Sequence, residues 1–209
     1  MRHAAALVLL SVLLAGCGGS GAPEAEQTRL GPLELVEALR EGGYVVYLRH
    51  AATDRAREDD PAVDLGDCAT QRNLSDAGRE QAHVIGDGFR ALEIPIGRVA
   101  TSEYCRTRET AELAFGAFED EPGLTGFPEA TDPTYDERVR RTKELLAARP
   151  PDGANTILVA HVKNLEESTG RSIEEGELAI FEPLGGTRYR YRGRIPAGLW
   201  PDLVEQAGR

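Results

Sequence analysis

This 209-residue sequence has no long hydrophobic run. Its longest apolar stretch, Ala4 to Ala15, falls short of the about 20 residues that a membrane-spanning helix needs. It also lacks an excess of cations, with 24 Lys and Arg against 35 Asp and Glu and a formal net charge of −11. Nucleic acid and anionic membrane surfaces select clustered basic residues, so this balance argues against both as partners. Any anion this chain binds must therefore be gripped locally. Metal-ligand spacings are missing too: neither His-x-x-x-His nor Cys-x-x-Cys occurs, which disfavours a zinc enzyme. There is no internal repeat or low-complexity tract. A composition of 41% hydrophobic and 28% charged residues suits one ordinary globular domain with a core of its own.

The N-terminus carries a secretory signal pattern. Arg2 and His3 precede the apolar run, which ends in small residues and a cysteine, Leu14-Ala15-Gly16-Cys17. This tetrapeptide resembles the bacterial lipoprotein processing box, which implies that residues 1–17 form the signal region and that Cys17 is lipidated. An ordinary cleaved signal would share the same apolar run. The glycine-rich segment that follows predicts a flexible tether over 18–30, leaving residues 31–209 as the folded domain. Both readings put that domain outside the cytoplasm, and the lipoprotein reading places it in the cell envelope, touching a membrane only through its lipid anchor.

Within the domain, Leu33, Val36 and Leu39 predict a helix from Pro32 to Glu41 that stops at Gly42-Gly43. Tyr44 to Leu48 predicts a buried strand ending at Arg49-His50. The charged stretch Arg55 to Arg72 has no period and predicts a long loop. Ser75 should cap a helix carrying Ala82, Ile85, Phe89 and Leu92 on one face, with His83 structural. Further on come a strand over Gly97 to Ser102 and a helix from Arg106 to Phe115 closed by Gly116. Asp132 should cap a helix with Pro133 at its first position. A strand from Thr156 to Ala160 ends at His161. Leu178 to Phe181 and Arg188 to Arg192 predict a hairpin through Gly185-Gly186.

Alternating strands and helices predict an α/β three-layer sandwich with a mostly parallel central sheet. Ligands of such sheets sit beyond the carboxyl ends of the strands. Arg49 and His50, Ser102 with Arg106 just beyond it, and His161 each end one of three strands, so they should converge on one edge. Two guanidiniums and two imidazoles suit a phosphoryl group: arginine pairs with phosphate oxygens through a planar fork, and neutral imidazole is a ready nucleophile.

These residues also resemble a family. Leu48-Arg49-His50-Ala51-Ala52-Thr53 is similar to the Arg-His-Gly motif of the histidine phosphatase superfamily, and Leu74-Ser75-Asp76-Ala77-Gly78-Arg79-Glu80-Gln81-Ala82 to its Leu-(Ser/Thr)-x-x-Gly-x-x-Gln-Ala helix start. Ser102 to Ala111 resembles its Ser-x-x-x-Arg-x-x-x-Thr-Ala segment, and Ile157 to His161 the strand bearing the second histidine. All four occur in family order between about Gly43 and Leu165. The resemblance implies a phosphoglycerate mutase-like fold and a metal-independent phosphatase with no cofactor. His50 would be the nucleophile, with Arg49, Arg106 and His161 forming the phosphate pocket and a phosphorylated small molecule as substrate.

The sequence departs from the family at Ala51 and Ala160, where glycine is usual, and at Glu103, where secreted members often have proline. No proton donor can be picked from Glu103, Glu119, Asp120, Glu121, Glu129 and Glu177. The alternatives are a phosphomutase on the same fold and a lipoprotein that binds a phosphorylated ligand without turnover. With Cys17 assigned to lipid, Cys68 and Cys105 remain, both expected near the catalytic edge in an oxidising compartment, which predicts a disulfide between them. The natural substrate and the oligomeric state are not legible.

Overall fold

A computed structural model describes residues 29–126 and 133–207. The signal pattern, Cys17, most of the tether, Glu129 and Asp132 lie outside the described residues. Six helices and six strands follow in the order α1 (Pro32–Glu41), β1 (Val45–Arg49), α2 (Asp76–Ala91), β2 (Ile96–Thr101), α3 (Cys105–Phe115), β3 (Glu119–Asp120), α4 (Tyr135–Ala147), β4 (Asn155–Ala160), α5 (Val162–Thr169), β5 (Leu178–Gly185), β6 (Arg188–Ile195) and α6 (Trp200–Ala207). The strands form one sheet in the order β3-β2-β4-β1-β5-β6. Neighbours from β3 to β1 pair in parallel, while β5 runs antiparallel to both β1 and β6. Five strands thus share one direction, giving an α/β sandwich with a mostly parallel sheet.

Side chains alternate along the strands, and the middle strands serve two cores. Val46, Leu48, Ile157, Val159 and Ile180 pack on one face against α1, α2, α3 and α6, with Phe89, Trp200 and Leu203 among the buried side chains. Val45, Tyr47, Leu158, Ala160 and Phe181 pack on the other face against Leu145 and Leu146 of α4 and Leu165 of α5. The middle strands are covered on both sides, which is why β4 is buried throughout and reads as a continuous apolar run.

The N-cap of α2 is Ser75, whose hydroxyl accepts from the Gly78 backbone N–H. Gly78 is required by contact: a Cβ there would sit 1.9 Å from the Ala52 carbonyl oxygen, so the helix can rest on the loop after β1 only without a side chain.

Several elements differ from the sequence reading. The fourth helix starts at Tyr135, with Pro133 and Thr134 in a turn before it, rather than with Pro133 as its first residue. The helices α5 and α6 and the two-residue strand β3 were not read, being too short for a periodic signal to stand out. The hairpin strands run longer than expected, because cross-strand pairing extends past the apolar core into Glu182–Gly185 and Gly193–Ile195. The loop after β1 holds one turn of 3₁₀ helix at Cys68–Thr70.

Candidate active site

Register brings the strand ends together. Arg49 pairs with Ala160 across β1 and β4, and Thr101 with Val159 across β2 and β4. The pairing continues one residue on, since the His50 and Ser102 backbone N–H groups donate to the carbonyls of Ala160 and Val159, each at 3.0 Å. Arg49, His50, Ser102 and His161 therefore leave the sheet at one level. Two helices begin there, α3 at Cys105 and α5 at Val162, and their N-terminal ends add partial positive charge.

The result is a cavity of about 380 Å³ lined by Arg49, His50, Arg72, Tyr104, Arg106, Gly126, His161, Val162 and Lys163. All four residues expected at the phosphate pocket line it. The rings of His50 and His161 lie edge to face with centroids 5.5 Å apart, and both are over nine-tenths buried. The Nδ1–H of His50 donates to the Ala51 carbonyl at 2.9 Å, which leaves Nε2 unprotonated in the neutral ring. Burial, aided by the positive charge of Arg106 and Arg49 and opposed by the Ala51 bond, lowers its pKa to about 4. His161 is likewise pushed well below the ordinary histidine value, first by burial and then by Arg106 and His50. Its Nε2 is hydrogen-bonded to Ser102 Oγ at 2.8 Å, and its carbonyl accepts from the Tyr47 hydroxyl at 2.7 Å.

The arginines are held by their outer ends. Arg49 donates from Nη1 to the Ile173 carbonyl at 3.0 Å and lies 3.7 Å from Glu175. Arg106 donates from Nη1 to Asp59 at 2.9 Å and to the Arg72 carbonyl at 3.3 Å, and its guanidinium carbon stands 4.2 Å over the Tyr104 ring. Burial pulls the pKa of Arg106 down while Asp59 pulls it back up, and an arginine stays charged in either case. The Nε–H groups of Arg49, Arg72 and Arg106 are buried and find no hydrogen-bond partner among the described residues. A buried donor left unmade costs about 1–3 kcal/mol. All three arginines line the cavity, and three guanidiniums together suit an anion.

The motif residues explain themselves as braces. Gln81 accepts from the Ala52 N–H at 2.9 Å and donates to the Glu175 carbonyl, while Thr110 Oγ1 accepts from the Ala51 N–H at 3.0 Å and donates to the Arg106 carbonyl. The loop after His50 is pinned from both sides. Ala51 and Ala160 fit where the family has glycine because Glu93 is the one non-glycine residue with positive φ among the described residues.

None of the described candidate donors lines the cavity. Glu119 pairs with Arg98, Asp120 with Arg108, Glu121 with Arg141 and Arg98, and Glu177 with Arg194. Glu103 accepts from the Thr125 hydroxyl at 2.8 Å. The sequence reading missed Glu175, which accepts from the Thr53 hydroxyl at 2.9 Å and lies near Arg49 and Arg55. Although burial raises its pKa, the Thr53 bond and the charges of His50, Arg49 and Arg55 leave it below the usual carboxylate value. Also missed were Arg72, Tyr104 and Lys163. Cys68 and Cys105 are joined by a disulfide with Cα atoms 5.7 Å apart. His83 is exposed on α2, away from the cavity. Among the described residues no group of three or more His, Cys, Asp or Glu side chains is placed to hold a metal ion.

A mostly parallel α/β sandwich with paired imidazoles among guanidiniums at its strand ends builds an anion site. The family model of the histidine phosphatase superfamily (branch 1) matches residues 45–127, the stretch from β1 through α3 to the segment that follows β3. Solved structures share the fold. The protein histidine phosphatase SixA, solved with tungstate, is 16% identical with a TM-score of 0.53, covering 74% of this chain and 97% of its own. A putative alpha-ribazole-5'-P phosphatase from Escherichia coli K-12 is 14% identical with a TM-score of 0.56, covering 75% and 98%. A phosphoserine phosphatase from Entamoeba histolytica, solved with phosphoserine, is 12% identical with a TM-score of 0.53, covering 74% and 97%. No curated protein matches the sequence.

Proposed function

We propose that the chain hydrolyses a phosphomonoester through a phosphohistidine formed on Nε2 of His50. The observation that carries this reading is the tautomer of His50: its Nδ1–H is spent on the Ala51 carbonyl, so the lone pair of Nε2 is available on a cavity lined by Arg49, Arg106 and His161. In-line attack forms the N–P bond as the ester P–O bond breaks, and the leaving oxygen takes a proton from water. The hydroxide this leaves then cleaves the N–P bond, releasing hydrogen phosphate and neutral His50. The arginines and the two helix N-termini offset charge on the equatorial oxygens in both steps. The substrate class is a phosphorylated small molecule, in keeping with the phosphoserine and ribazole phosphate named for the neighbours.

The test is a panel of phosphate esters assayed for released phosphate with and without chelator, combined with rapid quench using labelled substrate. Chelator-resistant turnover and label on His50 are expected. Tight phosphate binding with no turnover of any ester would favour instead a binding protein, the reading supported by the lack of a candidate donor among the cavity-lining residues. We also propose that the protein is exported and anchored through lipidated Cys17. Cys17→Ser should release it from membranes or block processing, and a soluble wild type with an unmodified N-terminus would refute the anchor.

A further inference from the structure

We infer that Arg72 is a third arginine ligand of the substrate phosphoryl group, and that the Cys68–Cys105 disulfide holds it there. The inference rests on the phosphatase reading above and adds a residue that comes from a loop rather than from the sheet.

Arg72 lines the same cavity as His50, Arg106 and His161, and its Nε–H is buried without a partner among the described residues, like those of Arg49 and Arg106. Its one ion pair among the described residues is weak. Arg72 Nη1 stands 3.8 Å from a Glu58 side chain that is 85% exposed, a distance and exposure at which water screens most of the attraction. That contact leaves the guanidinium weakly held on a cavity it lines, and a phosphoryl oxygen bound there would supply it a strong acceptor.

The backbone of Arg72, by contrast, is closely held. Its N–H donates to Asp59 Oδ1 at 2.8 Å, and its carbonyl accepts from Arg106 Nη1 at 3.3 Å. Asp59 thus ties together the backbone of one arginine and the guanidinium of another, because the same Oδ1 accepts from Arg106 at 2.9 Å. The preceding residue, Gln71, is fully buried and accepts from the Cys105 N–H at 2.8 Å while donating to the Asp64 carbonyl at 2.8 Å. Asn73 donates to the Cys68 carbonyl at 2.7 Å. The disulfide closes this set, fixing Cys68 to the residue that precedes Arg106. Placement of Arg72 therefore depends on the clamp between the loop and the first turn of α3. With the bridge open, the loop gains conformational freedom and the third guanidinium becomes entropically costly to place.

The probe is inorganic phosphate as a competitive inhibitor, measured with steady-state kinetics on one phosphomonoester. Arg72→Ala should weaken phosphate inhibition and raise KM by about 10- to 100-fold, with Arg72→Lys recovering part of the loss because charge returns without the fork. In a double-mutant cycle, Cys68→Ser with Cys105→Ser should raise KM in the same direction, and adding Arg72→Ala to that pair should cost little more. Melting curves separate binding from folding: the loss in Arg72→Ala is expected with a melting temperature close to wild type. Unchanged phosphate inhibition and KM in Arg72→Ala, beside an inactive His50→Ala, would overturn this inference alone. Full additivity of the cysteine and Arg72 effects would overturn the tether. A wild type that neither binds nor releases phosphate would sink both this inference and the phosphatase reading.

Discussion

The site, meaning the cavity together with the residues that hold it, has two halves built on different principles. The inner half, Arg49, His50, Ser102 and His161, sits at the ends of three parallel strands whose register is fixed by ladder hydrogen bonds. The outer half, Asp59, Arg72 and the cysteine bridge, sits on a loop with no extended element and is fixed by side-chain bonds to α3. Strand ends are placed by the core and cannot move without disrupting it, whereas the loop is placed by a handful of polar contacts and one covalent link. Chemistry and selectivity can thus be varied apart on one scaffold.

The largest expected effect tests the inner half. His50→Ala should lower kcat by about a thousandfold or more, as loss of a nucleophile does, and should abolish the labelled intermediate. Comparable turnover in this variant would assign the chemistry elsewhere. Reduction of the bridge should act on the outer half. Closing a loop of this separation stabilises a chain by roughly 3–4 kcal/mol in the chain-entropy account. Amide exchange over residues 54–74 should accelerate on reduction while β1 and β4 stay protected. Equal loss of protection in strands and loop would erase the distinction between the halves.

Acid should strike the inner half. His50 binds its proton at about pH 4 folded against 6.5 unfolded, and His161 is lowered in the same direction. The unfolded chain therefore holds more protons between those values, so stability is fully present above pH 6.5 and falls as the pH drops toward 4. The His50 share is on the order of 3 kcal/mol. Denaturant midpoints measured from pH 7 to 4 should show the decline, and His50→Asn should flatten it. A wild-type curve already flat would mean that the imidazole is not buried as described.

The smallest effects compare two arginines of α3. Arg106→Lys keeps the charge and loses the fork, and should cost about 10- to 100-fold in kcat/KM. Arg108 points away, pairing with Asp120 through two bonds of 2.8 Å, and Arg108→Ala should stay within about threefold. Equal costs would contradict the helix placement seen here.

Much of this was legible in the residues. The apolar run Thr156 to Ala160, ending at His161, announced a buried strand, and Ser75 announced the start of α2, because burial period and capping are local rules. The four pocket residues were legible because each ends or follows a strand, and strand ends in parallel sheets face one edge. Arg72, Lys163, Tyr104 and Glu175 were not. They lie in loops or at the first turn of a helix, where no period distinguishes a cavity residue from a solvated one, and the acids Glu119, Asp120 and Glu121 looked equivalent until their arginine partners were placed.

By itself, then, the sequence determined the alternation of elements, the sheet's middle strands and the chemical character of the site, since these follow from patterns a few residues long. Only the tertiary structure decided that five strands share a direction while β5 opposes them, that a loop arginine completes the cavity, and which carboxylates are occupied elsewhere. Those outcomes depend on contacts between residues well separated in the chain, such as Cys68 with Cys105, Asp59 with Arg106 and Glu121 with Arg141, and no local preference records them.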